Sequence, residues 1–184
     1  MRVIAGTAKK RILAVPKGLV VRPTADRVKE ALFNILGASV FASSLLDLFA
    51  GAGTVGIEAL SRGADKVVFV EKEINNIRII RKNLQITGLA DRARCLCMFV
   101  DNALERLASE QSSFDLIFMD PPYTQSYVSD TLSKIAGKNL LRTDGLVVAE
   151  NDRNTPLPEN VTGGLCMCRQ ERYSGTMLTF YQYK

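Results

Sequence analysis

Asp120-Pro121-Pro122-Tyr123 places a carboxylate, two residues without a backbone N–H and a flat aromatic face in one short stretch. Paired prolines stiffen the chain, end a strand and leave nearby carbonyls free to accept hydrogen bonds. That arrangement suits an amino group attached to a nucleic-acid base. Its lone pair is delocalised into the ring, so the nitrogen becomes nucleophilic only when it is held in place and acceptors draw on its protons. Asp120 supplies one acceptor and the Pro121 carbonyl another. Tyr123 offers a stacking surface worth roughly 1–3 kcal/mol to a base. A Pro-Pro turn with a packing tyrosine would look the same in isolation. Its position directly after the apolar run Phe114 to Met119, downstream of a glycine-rich loop, favours chemistry.

That loop, Gly51-x-Gly53-x-x-Gly56, follows the apolar run Leu45 to Phe49. The spacing lets a ligand approach the backbone, and alone it fits a dinucleotide site equally well. Two carboxylates tilt the choice. Asp47 is poorly placed beside a pyrophosphate and well placed beside an ammonium or sulfonium group. Glu71 ends the next strand and can accept both hydroxyls of a ribose, although Glu71-Lys72-Glu73 also reads as a charged surface turn. Asp101, with Asn102, follows the third strand and can reach an adenine amino group. Asp47, Glu71 and Asp101 thus mark the ends of successive strands, where open α/β sheets bind ligands. The candidate cofactor set is Thr24, Asp47, Phe49, Ala50, Gly51, Gly53, Glu71, Lys72, Asp101, Asn102 and Asp120. S-adenosylmethionine is the cofactor this set implies, with direct methyl transfer to the amine held at Asp120 to Tyr123.

The elements that position these groups alternate. Strands are expected at Leu45 to Phe49, Val67 to Val70, Arg94 to Val100, Phe114 to Met119 and Leu146 to Ala149. Helices are expected at Thr54 to Ser61, 73–87, Ala103 to Ala108 and Tyr127 to Ile135, with an earlier one over Thr24 to Leu36 that Thr24 can cap. Leu165 to Arg169 and Met177 to Tyr183 read as an antiparallel hairpin. The fold class is α/β: a mainly parallel sheet with helices on both faces. Residues 2–5 and 11–15 read as a small N-terminal β-hairpin, so residues 1–20 form a basic extension and 21–184 the main domain.

Residues 1–30 hold eight basic side chains against two acidic ones, although the whole chain carries only +5. Such an end suits phosphate tracking, with Lys9, Lys10, Arg11, Arg22 and Arg27 as candidate substrate contacts and Tyr123 beneath the base. An ordinary solubilising surface would share that charge. Cys95, Cys97, Cys166 and Cys168 fall in pairs with period-two spacing and read as buried structural thiols; the spacing is wrong for a zinc site and no metal is expected. No apolar run is long enough to span a membrane, and the expectation is a cytoplasmic, monomeric protein.

Over nearly its whole length the chain resembles the bacterial 16S ribosomal RNA guanine-N2 methyltransferase family. The matching elements are Met1 to Gly6, Arg22-Pro23-Thr24-Ala25-Asp26-Arg27 continuing to Leu36, the glycine loop, Glu71, Asp101, Asp120 to Tyr123, and Tyr173-Ser174-Gly175-Thr176. The resemblance implies a Rossmann-like, seven-stranded class I methyltransferase fold. It also implies transfer to N2 of a guanine in 16S rRNA, presented on the 30S subunit or an assembly intermediate. By the same analogy Asp47 and Gly51 to Gly53 border the methionine part of the cofactor, Glu71 the ribose and Asp101 the adenine, while Asp120 to Tyr123 hold guanine N2. The chain departs from the family in having Lys10 where glycine is frequent, Asn102 before Ala103, and Ser174 within a Tyr-Gly pairing. The same acceptor chemistry serves DNA adenine-N6 methylation, which the absence of a long target-recognition segment weakens. A nucleic-acid-binding protein that keeps the fold without catalysis is the non-enzymatic alternative.

Overall fold

Every apolar run of the central strands is flanked by helices with one apolar stripe, and the chain resolves this by burying both faces of one sheet. The computed structural model describes residues 1–16, 23–121, 125–173 and 175–184, with 23–25 and 125–126 described as backbone only. The strands are β1 (Ser44–Leu48), β2 (Lys66–Glu71), β3 (Ala93–Cys97), β4 (Phe114–Met119), β5 (Leu141–Asp152), β6 (Leu165–Tyr173) and β7 (Thr176–Tyr183). The helices are α1 (Pro23–Leu36), α2 (Thr54–Ser61), α3 (Ile74–Thr87), α4 (Val100–Ser109) and α5 (Gln125–Gly137). Strand order is β3-β2-β1-β4-β5-β7-β6. The first five run parallel, and β7 pairs antiparallel with both β5 and β6. This is the expected Rossmann-like sheet with its C-terminal hairpin.

Period-two alternation sorts the core. Leu45 joins Leu32, Phe33, Ile57, Phe69 and Ile80 on the face covered by α1, α2 and α3. Leu46 and Leu48 join Leu104, Ile117 and Leu132 on the face covered by α4 and α5. The order reverses between β1 and β4, so the strand ends there open a crevice at the point where α/β sheets bind ligands.

The N-terminal segment forms one antiparallel bridge, Arg2 to Ile12, rather than two extended strands. It is nevertheless closed like a hairpin: Leu13 N–H donates to the Met1 carbonyl at 3.0 Å and Lys10 N–H to the Val3 carbonyl at 2.9 Å. Lys10 adopts φ 71°, the conformation a glycine would take at this turn. Val3, Ala8 and Leu13 are buried in the same core as α1 and α2.

Four expectations need correction. Helix α1 begins at Pro23, so Thr24 lies inside it rather than capping it from outside. Strand β3 stops at Cys97 and Asp101 sits in the first turn of α4, because the chain turns early into a helix whose apolar stripe is Val100, Ala103, Leu104 and Leu107. The cysteines are not buried: Cys97 and Cys168 are exposed, and Cys95 and Cys166 half-buried. They lie on the two edge strands, so the pairs stand roughly 28 Å apart across the sheet. Finally, Lys29 is only 4% exposed and ion-paired to Glu58, which withdraws it from the basic surface counted in the sequence.

Candidate active site

The loop after β1 is built from strained and close-packed backbone. Phe49 takes φ 62°, which a β-carbon disfavours, and such outliers gather at ligand sites. Gly53 takes φ 74° ahead of α2. At Gly56 a β-carbon would stand 2.3 Å from the Phe69 ring, so the third glycine lets α2 lie directly on β2.

The hydrogen bonds of the loop decide what it can hold. Gly51 N–H donates to Glu71 Oε2 at 2.9 Å, Gly56 N–H to Asp47 Oδ2 at 3.0 Å, and Gly53 N–H to the Ala50 carbonyl at 2.7 Å. A phosphate would need those donors, and they are already spent on carboxylates and a carbonyl. Glu71 also accepts from Glu73 N–H at 2.9 Å through its other oxygen, leaving one lone pair on each oxygen for a ligand hydroxyl.

A cavity of about 710 Å³ opens beside the loop. Phe49, Met98, Phe99 and Val100 supply apolar wall; Glu71, Glu73, Asp101 and Asp120 supply negative charge, with Lys72 as the cationic counterpart. The size is that of a small-molecule site. The wall fits a ligand that combines a flat apolar group with positive charge. Phe49 and Tyr127 meet edge to face at 5.7 Å, and Lys72 Nζ lies 5.8 Å above the exposed Phe99 ring.

The expected residues separate accordingly. Phe49, Glu71, Lys72, Asp101, Asn102 and Asp120 converge on the cavity. Asp47 is buried beneath the loop, bonded to Gly56 rather than lining that wall. Asp101 is ion-paired to Lys134 at 2.8 Å. Pro121 follows β4, while Arg22, Pro122, Tyr123, Ser174 and the Thr24 side chain lie outside the described residues. Lys9, Lys10, Arg11 and Arg27 are exposed, the first three on the N-terminal turn.

Sequence reasoning missed Met98, Phe99 and Tyr127 on the cavity wall, and Glu150, which interacts electrostatically with Asp120. The rule that singled out Glu71 and Asp120 would have found Glu150, since it follows the apolar run Leu146 to Ala149. Met119 pairs in register with Ala149, so Asp120, just past β4, stands level with Glu150, which is still within β5. Burial pushes the carboxyls up: Asp47 to about 7, Asp120 to about 6 and Glu150 to about 8, the last also repelled by Asp120. A carboxyl raised in the folded state stabilises the fold at pH below its ordinary value and loses that contribution as pH rises through the raised one. The thermal midpoint of the ligand-free protein is therefore expected to fall between pH 5 and about 8.5. A flat or rising profile by scanning fluorimetry over that window would show these groups to be fully hydrated.

The model of a family described as conserved hypothetical protein 95 matches residues 1–182. A putative rRNA methyltransferase YlbH of Bacillus subtilis is 40% identical over 99% of this chain and 98% of its own length. The ribosomal RNA small subunit methyltransferase D of Haemophilus influenzae is 37% identical over 88% of this chain and 85% of its own. Among solved structures, the putative methyltransferase yhhF from Escherichia coli superposes with a TM-score of 0.86 at 32% identity, covering 100% of this chain and 98% of that one.

Proposed function

The chain belongs to the family described as conserved hypothetical protein 95 and is homologous to the ribosomal RNA small subunit methyltransferase D proteins; from that premise we propose that it transfers a methyl group from S-adenosylmethionine to the exocyclic N2 of a guanine in 16S rRNA. The observation that carries the cofactor is the loop itself. The amides of Gly51, Gly56 and Gly53 are committed to Glu71, Asp47 and Ala50, and the adjoining cavity is lined by four carboxylates, which repel a pyrophosphate and attract a cation.

The donor, when bound, supplies an electrophilic methyl group and a neutral thioether leaving group. Glu71 offers its remaining lone pairs to ribose hydroxyls, and Phe49, Met98 and Phe99 enclose the apolar part. Asp47 holds the loop from below through Gly56 N–H. Asp101 and Asn102 stand at the adenine end. Asp120 accepts a hydrogen bond from the guanine amine, aligning the nitrogen for in-line attack, with the Pro121 carbonyl as second acceptor and Tyr123 beneath the base; the methylated nitrogen, acidic once cationic, then releases one proton to water. Alignment and fixed charge provide most of the acceleration. Residues 1–20 form the basic extension that grips flanking phosphates through Lys9, Lys10 and Arg11, Arg22 and Arg27 are further phosphate contacts, and 21–184 form the catalytic domain. The target base, if paired, must be turned out to enter. The particle presented is the 30S subunit or an assembly intermediate, and the protein acts as a monomer in the cytoplasm. Among the described residues, no helix is long and apolar enough to cross a membrane.

Incubation with methyl-labelled donor and separate samples of 30S subunits, naked 16S rRNA and DNA tests this reading. Label is expected in rRNA, and nucleoside digestion should release N2-methylguanosine. Label confined to DNA would reject the substrate, and any other methylated nucleoside would reject the target atom.

A further inference from the structure

Asn83, in the middle of α3, is fully buried, an uncommon place for a carboxamide. Its two amide protons go to different parts of the chain: Nδ2 donates to the Ala14 carbonyl at 2.9 Å and to the Ala52 carbonyl at 3.0 Å. Its oxygen accepts from Ala14 N–H at 2.8 Å. One side chain therefore satisfies both backbone groups of Ala14, as a neighbouring strand would, and also holds the peptide between Gly51 and Gly53. Ala14 lies three residues after Arg11, on the strand-like return of the basic turn, tied back by Leu13 N–H to Met1. Ala52 lies in the glycine loop, three residues after Phe49, which lines the cavity. Fixing the Ala52 carbonyl fixes the plane of the Ala52–Gly53 peptide and with it the direction of Gly53 N–H.

We propose that Asn83 is the positioning residue through which the cofactor loop and the basic N-terminal segment bias one another's binding, an inference that rests on the function proposed above. A loop drawn onto the methyl donor moves the Ala52 carbonyl, and the carboxamide carries that shift to Ala14 because its bonds to both are direct and each of its protons is already committed. Coupling of this kind is reciprocal, so the donor tightens RNA binding by the same factor as RNA tightens donor binding.

S-adenosylhomocysteine, the demethylated donor, serves as the probe, with 30S subunits from cells lacking the enzyme as the RNA ligand. In the unmodified protein, saturating probe is expected to tighten 30S binding at least about fivefold, and in Asn83→Ala the ratio should fall to about one while both ligands still bind. A second measurement requires no variant: amide exchange at Ala14 should slow at least about fivefold when the probe is added, while the amide of Lys138 at the end of α5 changes little. Failure of the probe to bind would remove the proposed function together with this inference. Binding of the probe with unaltered exchange at Ala14, a ratio of one in the unmodified protein, or a ratio preserved in Asn83→Ala would each overturn the coupling alone.

Discussion

Asp120→Ala is expected to lower turnover by about 10²–10³-fold while changing the affinity for S-adenosylhomocysteine by less than about threefold. The asymmetry follows from what the carboxylate touches in the proposed reaction. It lies at the end of β4 on the cavity wall, where it meets the amine whose lone pair must be freed. In the proposed site the donor is held chiefly by groups on the other side of the crevice, after β1, at the end of β2 and at the start of α4. Because the Asp120 carboxyl is pushed up to about 6, it becomes the stronger, charged acceptor for the amine only once it has lost its proton. Activity is therefore expected to rise as pH increases through about 6 and then to level. Single-turnover rates on 30S, with donor binding measured separately, check both statements. A loss of donor affinity as large as the loss of rate would move Asp120 into the cofactor site. Unchanged turnover would remove it from the chemistry.

The sheet was legible in the chain because its signals are local and strong. Phe114 to Met119 and Thr54 to Ser61 have the bounds their apolar periods predict, and the glycine loop joins strand to helix where its spacing requires. The ends of elements were less so. Asp101 was expected at a strand end, yet the α4 period starts at Val100 and carries it into a helix. Edge position was not legible either: nothing in the spacing of Cys95 and Cys97 distinguishes an inner strand from an outer one, and only the pairing order leaves them half-exposed or exposed. At the cavity, Glu71 and Asp120 stand where the strand-end reading puts them, one closing β2 and the other following β4. Phe99 and Tyr127 belong to the cavity through tertiary approach of helices, which no local pattern encodes. The hardest feature was a charge inside the core. Glu58 and Lys29 look like ordinary solvated members of amphipathic helices, and their pairing across 29 positions requires the N-terminal segment to be folded between them.

That buried pair carries the second large effect. Glu58 is fully buried, and its carboxylate accepts from Ile4 N–H at 2.8 Å, Ala5 N–H at 3.0 Å and Arg62 Nε at 2.8 Å. Lys29 Nζ lies 3.4 Å from the same carboxylate and donates to the Arg2 carbonyl at 2.8 Å. Burial pulls the Lys29 ammonium below its ordinary value, and Glu58 opposes that pull. Glu58→Ala strands the ammonium and two backbone donors in the interior, so it is expected to cost about 3–5 kcal/mol. For a domain of this size that lowers the thermal midpoint by roughly 6–20 °C. Adding Lys29→Met should return part of the loss, since an apolar residue tolerates the site that a lone ammonium does not. Recovery stays incomplete because Ile4 and Ala5 still lack an acceptor. Chemical denaturation of the single and double variants measures each step. A loss below about 1 kcal/mol in Glu58→Ala, the range of an exposed ion pair, would show that water reaches the pair and that the N-terminal segment is held to α2 by its apolar contacts through Val3, Ala8 and Leu13 instead.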